Sequence, residues 1–502
     1  MSKIKTIKIH PAIGIARLGN SPEFFIGPEL PGASKPPKGG YKDAAGLVKR
    51  QAARFRLFGY DSKGKPVKEI TAADGAITWT VHLANKKAAW KRFVGLNSNS
   101  PLRNAGVADR TKLIIDPGPR SLSGPNQAAS FSTGKFLGTI VPLGDSQTDA
   151  KGRLLVLGGF GYSASPKNKR IVTFANNDGW HDDVSDGPVT ATVTFKKSGM
   201  TLKAVGAWVI CGPPDFAPPI DHVITLYDTL LQVAVDKLGV KLPAKPSFTN
   251  DIYPILQRAL NMKWVNPLKK MAEDNMPPPP PPNDRGHVDP VWGKIIPPPG
   301  PATARKFIFA RLRDPALPPN KSSDPADMPM IWSDYYPKKG NQPLNRIQYT
   351  MMKKWAEGKF INDWKAPPKP ANKITPGGLD RAALEPCIGG AFFPGIEAGW
   401  FLRDSYTYVE PFRLDHTNLC AGDVTKQMAV PWQADFTDCT QEDELAWWPA
   451  QRPDEVFPEA GGLQVSWIRD IVSGPEDMIA NWHKLGFVIK KGSKYVETER
   501  NP

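Results

Sequence analysis

From Ile4 to about Ile210 the chain is built of short apolar and alternating runs broken by Gly, Pro, Asn and Asp. The runs at 54–60, 77–83, 154–157 and 189–195 have the length and alternation of strands with a buried face. The pattern changes after Pro213-Pro214, where Ile224, Tyr227, Leu230, Leu231 and Val235 recur at helical spacing within 220–238. A second helix is predicted at 252–261, and helical spacing returns at 303–313 and 346–359, with Trp355 at an apolar position. Between them, 263–301 is irregular and includes consecutive prolines from Pro277 to Pro282, which favour an extended polyproline II rod. This segment reads as a loop wrapped on the surface or as a docking motif for an aromatic groove. From Asp380 onward Gly, Pro and Trp are frequent, and short strands alternate with loops. The expectation is an α+β protein with a β-rich, sandwich-like domain over 1–212. A helical and proline-rich middle follows over 213–379, then a mixed helical and loop-rich part over 380–502.

Composition narrows the function classes. The 53 prolines are about twice average usage, in keeping with many ordered turns and few long helices. A net charge of +16 would suit anionic partners, but the basic residues are dispersed in pairs such as Lys86-Lys87, Lys338-Lys339 and Lys490-Lys491. No helix-turn-helix, zinc-finger or RNA-binding signature accompanies them, so no nucleic-acid partner is expected. The first twenty residues lack the apolar run and small-residue cleavage site of a Sec signal, and no stretch reaches membrane-spanning length. A cytoplasmic protein is expected, with export by another route left open. Cys211, Cys387, Cys420 and Cys439 form no CxxC pair, so neither a disulfide scaffold nor a metal site is expected. No GxGxxG after a strand and no Walker A motif points to a bound nucleotide.

Chemistry concentrates in the window 429–454. It holds Cys439, three tryptophans (Trp432, Trp447, Trp448), Asp435 four positions before the cysteine, and Arg452 between two prolines. Thiolate is the reactive form of cysteine, and a nearby carboxylate can take its proton, which makes Asp435 a candidate base. An indole is electron-rich and can be oxygenated and then joined to sulfur. Taken alone, the same residues also fit a buried thiol among packing aromatics.

The window resembles the C-terminal region of the lysine ε-oxidase and glycine oxidase family, whose members contain cysteine tryptophylquinone. The resemblance extends along the chain through 9–20 (IHPAIGIARLGN), 25–28, 79–85, 116–120, 177–183 (NDGWHDD), 389–397 (GGAFFPGIE) and 482–488 (WHKLGFV). It implies an amino-acid oxidase that deaminates a primary amine through a Schiff base on the quinone. Electrons pass to dioxygen, and ammonia and hydrogen peroxide are released. It implies a quinone-bearing catalytic region over 380–502, with Cys439 as the quinone cysteine and Asp435 as the aspartate assisting maturation and catalysis. The tryptophan partner is expected to be Trp447 or Trp448, with Trp432 and Trp467 as alternatives. A flavoprotein maturation partner and a homo-oligomer are implied, with no dissociable cofactor.

Other positions carry a functional and a structural reading side by side. Cys387 is a candidate second cysteine near the quinone or a buried loop residue, and Glu397 a pocket residue or a turn cap. His416 is a candidate active-site hydrogen-bonding group or a core histidine. Arg452 fits a bidentate clamp on a substrate carboxylate or a structural salt bridge. His181 and His483 read as structural. Two other functions fit the same sequence: a binding or scaffold protein that never matures the quinone, and an enzyme acting on peptide-bound amines.

Overall fold

The computed structural model describes residues 4–501 except 34, 94–99, 268–298, 318–327, 330, 332–341, 391–397 and 439–446. The polyproline run, Glu397 and Cys439 therefore lie outside the described residues. The architecture is mixed α/β, with the β structure first and the helices later in the chain.

The N-terminal part forms one thirteen-stranded sheet among the described residues. Its path runs Arg120–Ser123, Gly75–Val81, Ser185–Phe195, Ala207–Gly212, Ile13–Arg17, Arg50–Tyr60, Leu154–Leu157, Asp145–Thr148 and Ala128–Ser130. The two ends of that path meet, and Arg120 Nε donates to the Ser130 carbonyl at 3.0 Å. The sheet is thus nearly closed on itself, where a sandwich-like pair of sheets was expected. Alternation shows that one face is buried; it does not distinguish a second sheet from the same sheet curling over. The long strand Arg50–Tyr60 makes the curl, because its neighbours change along its length. Its first half pairs with Phe24–Ile26 and Leu154–Leu157, and its second half with Thr6–His10 and Pro66–Ile70. Within Ser185–Phe195, Val189, Ala191 and Val193 point into the core while Thr192 and Thr194 face solvent.

The helices follow the spacing read from the sequence, with shorter bounds. The first is Leu226–Lys237, where Thr225 and Asp228 form a capping box. Tyr253–Asn261 is preceded by a π-turn at Phe248–Ile252; Ala302–Ala310 and Arg346–Ala356 follow, the latter capped by Asn345 and Gln348. Pro376–Leu384 packs back against the strand Ile13–Arg17. A second, aromatic-rich core forms in the C-terminal half around Phe216, Trp264, Trp432, Trp447, Trp467 and Trp482. The N-terminal part contributes Leu18, Tyr41, Val48 and Val184 to it, so the two halves share one interior. No described helix is long and apolar enough to cross a membrane.

Candidate active site

The reactive window is organised by a seven-residue helix, Trp432–Asp438, which the sequence pattern did not single out as helical. From Trp432 to Phe436 apolar and polar positions are buried alike, so no amphipathic stripe marks it. So short a helix does not persist alone; its surroundings hold it. Asp182 Oδ2 accepts the Trp432 backbone N–H at 3.1 Å, placing a carboxylate at the helix start, where the dipole favours negative charge. Gln433 clamps a loop of the N-terminal part: its Nε2 donates to the Gly161 carbonyl at 3.1 Å and its Oε1 accepts from Ser163 Oγ at 2.6 Å. The Trp432 ring meets Phe436 at 4.8 Å and Trp482 at 5.5 Å, both edge-on. Arg452 Nε donates to the Phe436 carbonyl. Asp435 lies within this helix, 1% exposed.

The segment 177–183 acts as the mounting of this helix. Asn177 Nδ2 holds the Val430 carbonyl at 3.1 Å, and Asp182 is itself fixed by Lys87 Nζ at 2.5 Å and Asn85 Nδ2 at 3.0 Å. Both partners of the Lys87–Asp182 pair are fully buried, and burial lowers the Lys87 pKa against the opposing pull of Asp182. Arg103, pushed down to about 10 by burial, donates to the carbonyls of Lys87 and Met428 at 3.0 Å each. Sequence reasoning missed Asn85, Asp182 and Gln433, and the dispersed pair Lys86-Lys87, which reads as solvated surface, is corrected at Lys87, which is fully buried on Asp182. The NDGWHDD segment was a signal for Asp182; a buried lysine has no counterpart in the pattern.

Trp447 is 3% exposed, bridges to Ile331, and its indole Nε1 has no hydrogen-bond partner among the described residues. Trp448 is buried beside it, with its backbone N–H held by Asn266 Oδ1 at 2.9 Å. Trp432 and Trp467 belong to the same core, but the Trp467 indole N–H is committed to the Gly486 carbonyl at 2.9 Å. Arg452 is fully buried; besides the Phe436 carbonyl it reaches Asp454 at 3.0 Å, and burial pushes Asp454 up to about 7. Gln451 Nε2 donates to the Pro386 carbonyl at 2.6 Å, joining this loop to that of Cys387. The Cys387 thiol is buried and accepts from Arg17 Nη2 at 3.3 Å. His416 stands elsewhere, half-buried against the edge of Trp208 at 5.3 Å, and burial lowers its pKa. His483 packs edge-on to Trp482 at 5.9 Å. Among the described residues no group of His, Cys, Asp and Glu is placed to hold a metal ion.

The structure thus places Trp432, Phe436, Trp447, Trp448 and Trp467 in one buried core, with Asp435 buried on the helix that carries Trp432 and Phe436 and Arg452 joined to that helix at the Phe436 carbonyl; Gln451 links the loop of Cys387 to it, and His416 stands against a different set of side chains.

Residues 10–211 match the family described as L-lysine epsilon oxidase N-terminal, and residues 327–467 match the L-lysine epsilon oxidase C-terminal domain. The L-lysine 6-oxidase of Marinomonas mediterranea is 30% identical over 86% of this chain and 71% of its own length. The solved L-Lys epsilon-oxidase of that organism superposes with a TM-score of 0.78 at 25% identity, covering 99% of this chain and 95% of the other. A second structure of that enzyme, described as its Schiff base intermediate with L-Lys, gives a TM-score of 0.79 at the same identity and coverage. On the matched residues and this chain-long likeness, the protein belongs to the L-lysine epsilon-oxidase family.

Proposed function

We propose that this protein is an amino-acid oxidase that deaminates a primary amine with a cysteine tryptophylquinone made from Cys439 and either Trp447 or Trp448. The observation that carries the reading is the burial of Asp435 on a clamped helix that leads directly to Cys439, in the core that contains both tryptophans. The residues suit the group: Trp447 offers a buried indole whose Nε1 has no partner among the described residues, in surroundings of aromatic side chains. When formed, the quinone supplies an electrophilic carbonyl and a two-electron sink, neither of which an unmodified side chain offers.

The chain's own residues do the rest. Asp435, shielded from water, takes the proton that leaves the substrate carbon and returns it during product release. Arg452, through the Phe436 carbonyl and Asp454, fixes the far half of the helix; Asp182 and Gln433 fix the near half. The surrounding aromatic rings exclude water and strengthen the carboxylate's electrostatic effect. The substrate amine leaves as ammonia, its carbon as a carbonyl, and dioxygen becomes hydrogen peroxide. L-lysine, on which the Marinomonas relative acts, is the first amine to test.

The test combines intact mass with peroxide release, on protein produced with a flavoprotein maturation partner. A chain carrying two added oxygens and a Cys439 thioether, releasing peroxide and ammonia together on an amino-acid panel, is the expected result. An unmodified chain that releases no peroxide overturns the proposal.

A further inference from the structure

A narrow crevice of about 30 Å³ lies between the N-terminal sheet and the helix Pro376–Leu384, and none of the roles derived above uses it. Half-buried Pro28, Gln51 and Arg54 line one part of it, and the buried side chains of Arg17 and Cys387 line another. A single water needs roughly 10–15 Å³, so the space admits water, dioxygen or hydrogen peroxide and excludes an amino acid.

The buried part of the crevice is equipped for chemistry on a small polar molecule. Arg17, 4% exposed, donates through Nη2 to the Cys387 sulfur at 3.3 Å, and a guanidinium in that position favours the nucleophilic thiolate against the opposing effect of burial. On its other side the thiol meets the Ala383 carbonyl at 3.5 Å. Gln451, 1% exposed, donates to the carbonyl of Pro386, a further crevice residue, while its own Oε1 has no hydrogen-bond partner among the described residues. A buried acceptor in that state is satisfied by a small donor such as water or hydrogen peroxide. The other described cysteines lack this combination. Cys211 is packed in the sheet core, where burial pushes its thiol up to about 12, and Cys420 is exposed at the surface.

We propose that Cys387 is a modification site for hydrogen peroxide and that its oxidation restrains the enzyme; restraint by the enzyme's own product rests on the oxidase reading above. The sulfur attacks one peroxide oxygen, an S–O bond forms as the O–O bond breaks, and the sulfur gives up two electrons. The other oxygen leaves as water, carrying the thiol proton, and Cys387 becomes a sulfenic acid. The new oxygen changes the Arg17 contact and presses on the neighbouring Pro386, on which Gln451 rests. The residue after Gln451 is Arg452, which holds the Phe436 carbonyl of the helix that bears Asp435.

The test treats the full-length chain with hydrogen peroxide and then unfolds it in dimedone, a trap for sulfenic acids that is too large for the crevice. Peptide mapping should find the adduct at Cys387 at least about fivefold above that at Cys211 or Cys420. Iodoacetamide, excluded by the same size limit, should alkylate native Cys420 and spare native Cys387. During turnover of L-lysine, or of whichever amino acid releases most peroxide, the matured enzyme should lose about half of its activity or more without catalase and keep it with catalase; Cys387→Ser, whatever its starting rate, should show no such difference. If that variant does not fold, adduct at Cys387 in the wild type must rise in step with the activity lost. No adduct at Cys387, alkylation of native Cys387 by iodoacetamide, an oxidised Cys387 with full activity, or an equal loss in Cys387→Ser overturns the proposal, while peroxide release keeps the oxidase reading. An adduct formed with added peroxide in a matured chain that releases none of its own upholds the site and fails the oxidase reading instead.

Discussion

Asp182 and Asp183 are chain neighbours of the same type with opposite surroundings. Asp182 is held by Lys87, Asn85 and the Trp432 N–H, whereas Asp183 Oδ2 accepts from Tyr162 N–H at 3.1 Å and its Oδ1 has no partner. Burial pushes Asp183 up to about 7. Between the unfolded carboxyl value of about 4 and pH 7 the folded state therefore binds the extra proton. The stabilisation from that proton is complete below about pH 4 and is lost as pH rises through 7. Asp183→Asn keeps the site neutral, so its stability should fall less steeply than the wild type's from about pH 5 to about pH 7.5 in denaturant titrations. Parallel pH profiles would count against this. Asp435→Asn preserves size and removes the carboxylate proposed to accept the substrate proton; oxidase activity should fall by roughly 10²–10⁴-fold with an unchanged thermal midpoint. Intact mass of the same variant tells whether the quinone still forms. Asp435 was legible because it stands four positions before Cys439 in a distinctive window. The difference between Asp182 and Asp183 was not, since it depends on Lys87, ninety-five positions away from Asp182.

At the scale of elements, the helices at Leu226–Lys237 and Arg346–Ala356 could be read because each has one buried face and a capping residue at its start. The helix Trp432–Asp438 could not, because its residues from Trp432 to Phe436 are all buried, polar and apolar alike, and follow no period. Its contact with the Trp482 ring depends on a glycine. Gly161 has φ +72°, and a Cβ there would come within 2.2 Å of Trp482 Cζ2. Gly161→Ala should therefore displace the ring that packs on Trp432 and cost about 1–3 kcal/mol, with reduced near-ultraviolet dichroism from the aromatic core. A wild-type melting curve for this variant would show that the ring moves aside at no cost. Lys87 and Asp182 add a different constraint. Removing one member of a buried pair leaves the other charge uncompensated, so the helix mounting tolerates loss of both members better than loss of one.

Across the whole molecule, the N-terminal sheet and the C-terminal region are tied at several places by buried or half-buried carboxylates. Asp380 accepts the Ala12 N–H at 2.6 Å and pairs with His10 at 3.0 Å; Asp186 accepts the Thr425 N–H at 2.8 Å; Glu499 accepts the N–H groups of Tyr41 and Lys42. The segment 1–212 expressed alone should thus show no cooperative unfolding transition, while the intact chain unfolds in one step, as monitored by calorimetry. A sharp, reversible transition in the isolated segment would refute this. What the sequence by itself determined is the β-rich character of the first two hundred residues, four of the later helices, whose periods are local, and the family, whose motifs run from residue 9 to residue 488. Closure of the sheet, the buried mounting of the helix Trp432–Asp438 by Asn177, Asp182 and Lys87, and the burial of Trp180 and His181 with ring nitrogens that find no partner among the described residues were decided only by the tertiary structure. Each depends on which distant residues share an interior, and burial, hydrogen-bond partnership and pKa belong to that shared environment rather than to any stretch of chain.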